Sequence, residues 1–169
     1  MENNRLTKKQ ALQLIKSGSE RLEYLSDELR NDREIVLAAV QNYGFALKFV
    51  SEELRNDREI VLTAVQKDGS ALGSASEELR NDREFVLAAV EIEGSALQSA
   101  PKKLRNDREI VMAAIKNSGN ALEYASEELR NDKEIVLVAV KKDFSAFKFA
   151  SEELRNDRDF IKTVDKDNG

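Results

Sequence analysis

The side chains able to do chemistry in this chain recur on a fixed spacing. Adjacent carboxylates stand at Glu52 with Glu53, Glu77 with Glu78, Glu127 with Glu128 and Glu152 with Glu153, always at multiples of 25 residues. Such pairs can serve acid–base catalysis or hold Ca²⁺. A catalytic pair, however, is needed once, whereas a first-turn glutamate stabilises every helix N-terminus it occupies by opposing the positive end of the helix dipole. Repetition therefore favours the structural role. The segment RNDRE, as in Arg55 to Glu59, repeats in the same way and admits two readings. It is an anion-binding ladder of arginines, or a set of helix caps joined by salt bridges between neighbouring copies. From Glu52 to Glu59 four acidic side chains outnumber two basic ones, which favours the second.

What is missing narrows the chemistry further. The chain has no cysteine and no histidine, which removes the thiolate nucleophile, the disulfide, the usual zinc ligands and the usual general base. The serines then have no evident base. The expectation is a protein that is not an enzyme, with no catalytic residues, no metal and no cofactor. With 27 basic and 32 acidic side chains the formal charge is −5, which opposes attraction to phosphate backbones and anionic lipid. The local basic enrichment is confined to Lys116, Lys141, Lys142 and Lys148. The opening MENNRLTKKQ has no apolar signal-peptide core, and apolar runs such as Ile35 to Val40 reach six residues against the roughly 20 of a membrane span. A cytoplasmic monomer without a membrane segment is expected.

The positions that vary between copies carry the functional information. At the place of Phe49 successive copies read Tyr24, Phe49, Ser74, Ser99, Tyr124 and Phe149; the preceding residues read Glu23, Lys48, Gly73, Gln98, Glu123 and Lys148. Large aromatics flank a small polar middle. If exposed, this column forms a shallow groove with aromatic walls, a seat for a peptide or an extended segment of a protein. If not, the rings pack under the neighbouring copy and the pattern records duplication. The expected function is thus a non-catalytic scaffold that binds a protein or peptide. Two alternatives stand beside it: an acidic structural protein that occupies a basic surface, and a reader of single-stranded nucleic acid at one base per copy.

These side chains must be positioned by a repeated element. LRND begins at Leu29, Leu54, Leu79, Leu104, Leu129 and Leu154 without insertion or deletion. The chain of 169 residues divides into one repeat domain: an N-terminal capping repeat over 7–31, inner repeats over 32–56, 57–81, 82–106, 107–131 and 132–156, and a C-terminal capping half-repeat over 157–169. Within a copy, Asp57 is placed to cap a helix of about eleven residues, and Gly69 stands where a helix C-terminus takes a left-handed residue. Ser70 and Ser76 are placed to cap two short turns. Pro101 replaces the second serine in one copy, and proline is accepted at a helix start but not inside one, which predicts a break there.

The ends of the array show which faces stack. Gln10 and Gln13 stand where inner copies have Ile35 and Ala38, and Lys162 and Asp165 stand where they have Leu37 and Val40. At 100° per residue these pairs point about 160° apart. Terminal repeats expose what inner ones bury, so the first face should meet the preceding copy and the second the following one. Positions of Val36 and Ala39 stay apolar at both ends, as Ala11 with Leu14 and as Ile161 with Val164, and should pack within the copy. The result is an all-α, short-repeat α-solenoid with one long and one or two short helices per unit, wound as a right-handed superhelix.

The recurring LRND, VLAAV, Gly, AL and YASEEL elements, clearest in Ala121 to Val140 (ALEYASEELRNDKEIVLVAV), resemble the helical repeat family known as domain of unknown function 4116. The resemblance runs from about Thr7 onward. It implies a short-repeat helical array and brings no activity, cofactor or catalytic residue with it. Phe144 departs from the pattern by replacing the helix-ending glycine, and a bulky residue at positive φ would strain that turn.

Overall fold

The computed structural model describes residues 6–19 and 21–168. Seven long helices mark the units: α1 (Lys8–Lys16), α2 (Arg33–Asn42), α3 (Arg58–Lys67), α4 (Arg83–Ile92), α5 (Arg108–Asn117), α6 (Lys133–Lys142) and α7 (Arg158–Asn168). Each inner unit continues into a six-residue 3₁₀ helix, such as Gly69–Ser74, and closes with a short turn of helix, such as Glu77–Asn81. Long helices pack on the long helices of neighbouring units, and 3₁₀ helices on 3₁₀ helices. The chain is an all-α repeat solenoid, and among the described residues no strand interrupts it.

The long helix starts where the sequence places it. Asp57 Oδ1 accepts from the backbone N–H groups of Glu59 and Ile60 at 3.0 and 3.1 Å, and Asp32, Asp107 and Asp132 do the same in their units. Ser76, Ser126 and Ser151 cap the third element through the N–H three residues on. Pro101 sits at that cap position ahead of Lys102–Arg105, at the break its ring requires.

The long helix ends differently from expectation. Gly44, Gly69, Gly94 and Gly119 are not left-handed; among the described residues the one glycine at positive φ is Gly18, at 71°. Instead, an extended residue, Asp68 at φ −156°, turns the chain straight into the 3₁₀ helix. Asp68 donates its N–H to the Ala64 carbonyl and accepts from Ala71 N. Its carboxylate takes both the N–H and the hydroxyl of Ser70, so Asp68, and not Ser70, is the cap. The glycine is required for closeness: a Cβ at Gly94 or Gly119 would stand 2.6 Å from the carbonyl oxygen of Ala114 or Ala139 in the next unit. Phe144 is correspondingly unstrained. It keeps negative φ in the last full unit, and its ring is 56% exposed.

The core is one continuous cluster built from the same positions in each unit. Ile60, Val61, Ala64 and Val65 are buried on α3, with Ala71, Leu72 and Ala75 from the 3₁₀ segment and Leu79 from the third element in the same unit. The terminal faces behave as their polarity demands, since Gln10, Gln13, Lys162 and Asp165 are all exposed. The apolar sextet is less enclosed than expected. Leu37, Leu62, Leu87, Met112 and Leu137 are only half-buried, and they form a partly open strip along the long-helix layer. Between α4 and α5 this strip lies in a shallow trough, with Leu87 from one unit beside Met112 and Ala113 of the next.

Candidate binding site

The recurring aspartates and the basic residues that follow them are engaged by the scaffold. Arg33 Nε donates to Asp57 at 2.9 Å and its terminal nitrogen to Glu59; Arg83 binds Asp107 and Glu109, and Arg108 binds Asp132 and Glu134. Arg58 pairs with Asp82, and Lys8 and Lys133 open and close the series against Asp32 and Asp157. The aspartate and second arginine of RNDRE are therefore a chain of caps and inter-unit ion pairs, whereas the first arginine, as at Arg55, Arg105 and Arg130, keeps a buried Nε without a hydrogen-bond partner. Asn56 extends the link, donating to Glu78 at 3.1 Å and accepting from Ser76. The bridge recurs at Asn106 with Ser126 and Glu128, and at Asn131 with Ser151 and Glu153. In three of the four glutamate pairs one carboxylate, Glu78, Glu128 or Glu153, is thus a structural partner. Among the described residues no three acidic side chains converge as a metal site would need.

The variable column runs along the 3₁₀ layer. Tyr24 is 72% exposed, whereas Phe49, Ser74, Ser99, Tyr124 and Phe149 are half-buried and Lys48, Glu123 and Lys148 are exposed. The column is therefore neither a free groove nor a hidden core. Its middle is flat because the 3₁₀ helices meet closely there: Ser99 Oγ donates to the Ser70 carbonyl at 3.3 Å, and a Cβ on Gly73 would lie 3.2 Å from that hydroxyl. Toward the C-terminal end Lys148 Nζ sits 4.7 Å from the Phe149 ring centroid.

A cavity forms at the N-terminal end, and its origin is local. Among the described residues helix α1 is the one that ends in a left-handed turn, with Ser19 N donating to the Leu14 carbonyl and Gly18 at the positive-φ position, as in a Schellman motif. The 3₁₀ element that follows is cut to Leu22–Tyr24, three residues in place of six. The 3₁₀ layer is consequently incomplete between the first two units, leaving a cavity of about 200 Å³. Ile15, Leu22, Ala39 and Ala46 form its apolar lining, Tyr43, Phe45 and Phe49 its aromatic lining, and Arg21, Glu23 and Asn42 its polar lining. Asn42 is fixed by a 2.6 Å bond from its amide to the Ile15 carbonyl. Phe45 and Phe49 meet edge to face, with centroids 5.8 Å apart and planes at 77°, and Lys48 Nζ stands 5.4 Å from the Phe45 centroid.

Tyr43 and Phe45 were not visible in the variable column, yet they are 58% and 57% exposed. The signal was available on either side of the glycine. Other units place Asp68 and Ser70, Glu93 and Ser95, Ser118 and Asn120, or Asp143 and Ser145 there. Two aromatics at positions that are otherwise polar set this unit apart from the others.

Fold and site together define a helical repeat scaffold whose ion pairs are satisfied internally and whose variable part is the 3₁₀ layer. The chain belongs to the family described as Domain of unknown function (DUF4116), whose sequence profile matches in tandem over residues 8–55, 35–80, 57–105, 82–130, 107–155 and 132–164. Most of these matches cover about two of the 25-residue units and overlap their neighbours. No curated protein and no solved structure matches the chain. No described helix is long and apolar enough to cross a membrane.

Proposed function

We propose that the protein is a non-catalytic scaffold that captures a polypeptide segment at the N-terminal end of its 3₁₀ layer. The observation that carries this reading is the exposure of Tyr24, Tyr43 and Phe45 in a chain whose other large apolar side chains are, with the exceptions of Ile92 and Phe144, at least half-buried among the described residues. Exposed aromatic area beside a preformed apolar cavity is the usual anatomy of an anchor site, because a ring loses little conformational entropy on binding and contributes a large contact area. The rest of the surface is charged, and the arginines that open the long helices, Arg33, Arg58, Arg83 and Arg108, are already engaged across units. Asn42, bonded to the Ile15 carbonyl, ties the two units together at the cavity, and a pocket formed before binding lowers the cost of ordering it around a ligand.

The test is selection of a random peptide library on the immobilised protein, followed by measurement of the selected peptides against a Tyr43→Ala/Phe45→Ala variant. Because both rings are more than half exposed, the variant is expected to keep its helical circular dichroism and lose peptide binding by at least tenfold. Peptides that bind the variant undiminished would place the binding surface elsewhere.

A further inference from the structure

We infer that the N-terminal cavity takes a methylated ammonium group, presented as a methyl-lysine side chain of the bound polypeptide. The inference rests on the reading of the chain as a polypeptide-binding scaffold and names what the cavity recognises. An apolar slot for a leucine or phenylalanine needs hydrophobic walls alone. This cavity has aromatic walls set at a steep angle to each other and a carboxylate in its lining.

Three observations converge. First, Phe45 and Phe49 stand with planes at 77° and Tyr43 supplies a further ring, so three rings line one small volume. The face of an aromatic ring carries the negative part of its quadrupole and attracts a cation within about 6 Å. The cluster already draws one, since Lys48 Nζ lies 5.4 Å from the Phe45 centroid.

Second, Glu23 lines the same cavity, and its side chain is only 25% exposed. Arg21, also in the lining, approaches Glu23 Oε1 at 3.7 Å, outside hydrogen-bond distance, with 73% of its own side chain in solvent. At that separation no hydrogen bond joins the two, and the Arg21 end lies mostly in solvent, where its charge is screened, so a ligand cation that gives up its water inside the cavity finds the Glu23 carboxylate to offset the loss.

Third, size fits. An apolar cavity of about 150 Å³ accepts benzene, so about 200 Å³ holds a trimethylammonium head and its adjoining methylenes. Ile15, Leu22, Ala39 and Ala46 offer the methyl groups an apolar contact surface that an unmodified, strongly hydrated ammonium does not use.

The test separates charge from shape. The probe is Nα-acetyl-Nε-trimethyl-lysine methylamide, compared with its neutral isostere in which carbon replaces the charged nitrogen, and with the unmethylated lysine analogue. Binding is followed by amide chemical shifts across the full chain. The expected result is saturable shifts confined to residues 15–23 and 39–49, with the trimethylated probe at least about fivefold tighter than either control. Phe45→Leu keeps an apolar side chain in place but removes a ring, and should erase the preference for the cation over the isostere. Glu23→Gln should weaken the cation several-fold and leave the isostere unchanged. Equal or tighter binding of the isostere overturns the inference in favour of a plain apolar slot, and absence of shifts in these segments overturns it outright. If peptides selected on the protein still depend on Tyr43 and Phe45 under either outcome, the polypeptide-binding function stands and the methylammonium specificity alone falls.

Discussion

At the residue scale the LRND string is a set of four assignments. The leucine enters the core, the arginine in two units donates Nε to the carbonyl five residues back, the asparagine bridges to the next unit and the aspartate caps the next long helix while accepting its predecessor's arginine. In one unit the bridge is broken twice, because Asn81 faces Pro101 and Lys103 where its counterparts meet serine and glutamate, and it donates to the Glu77 carbonyl instead. Pro101→Ser with Lys103→Glu should restore the missing cap and bridge together and stabilise the chain by about 1 kcal/mol in denaturant titration; each change alone should give less. Asp107 tests the cap in the opposite sense. Its bond from Arg83, and after that the N–H of Ile110, hold its carboxyl below the ordinary aspartate range in spite of desolvation, and Asp157 is lowered in the same way by Lys133 and Phe160 N. A carboxyl depressed in the folded state contributes stability that is complete above its unfolded pKa of about 3.9 and is lost as pH falls through the folded value. The denaturation midpoint should therefore be level near neutrality and fall below about pH 4. Asp107→Ala should cost about 1–2 kcal/mol. Asp107→Asn, which keeps a capping oxygen but not the charge, should cost less and flatten the acid limb.

At the element scale, the long helix was legible because its determinants are local: an aspartate cap, an apolar run of fixed length and a break after it. The same locality made Ser76 and Pro101 readable as starts of the third element. The glycine was not readable, since the sequence shows only that a side chain is absent and gives no sign whether backbone angle or a neighbour's carbonyl forbids it. The angle argument holds at Gly18, and the neighbour argument at Gly44, Gly94 and Gly119. Gly94→Ala should accordingly destabilise by about 1–3 kcal/mol, as overpacking against a backbone atom does, while Gly73→Ala, which meets only the Ser99 side chain, should stay within about 0.5 kcal/mol of the parent. Thermal melts of the two variants distinguish a packing requirement from a general dislike of losing glycine in the 3₁₀ layer. The site was half legible for a related reason. Phe49 and Lys48 stood out by variation along one column, but the cavity beside them arises from a shortened 3₁₀ element in the first unit, and its mark on the next unit, Tyr43 and Phe45 flanking the glycine, lies outside that column.

At the scale of the whole molecule, each unit gains its core only from its neighbours, so stability is a sum of unit and interface terms along one axis. Polar residues at Gln10, Gln13, Lys162 and Asp165 close the long-helix layer at both ends, and light scattering at micromolar concentration should report a monomer. The uniform 25-residue period supports a more demanding expectation. Removing residues 82–106 joins the unit ending at Asn81 to the one beginning at Asp107 in unbroken register. Arg58 would then face Asp107 and Glu109 in place of Asp82, and Asn81 would meet Ser126 and Glu128, the partners that Asn106 has in the intact chain. The shortened protein should unfold in one transition with its denaturant m-value lowered by about 15%, in proportion to the surface lost. Removing only 82–93 deletes a long helix and keeps its 3₁₀ partner, leaving Ala96 and Leu97, both fully buried in the intact chain, without the helix they pack on. That deletion should abolish the cooperative transition, because an array of this kind tolerates the loss of a whole period and not of part of one.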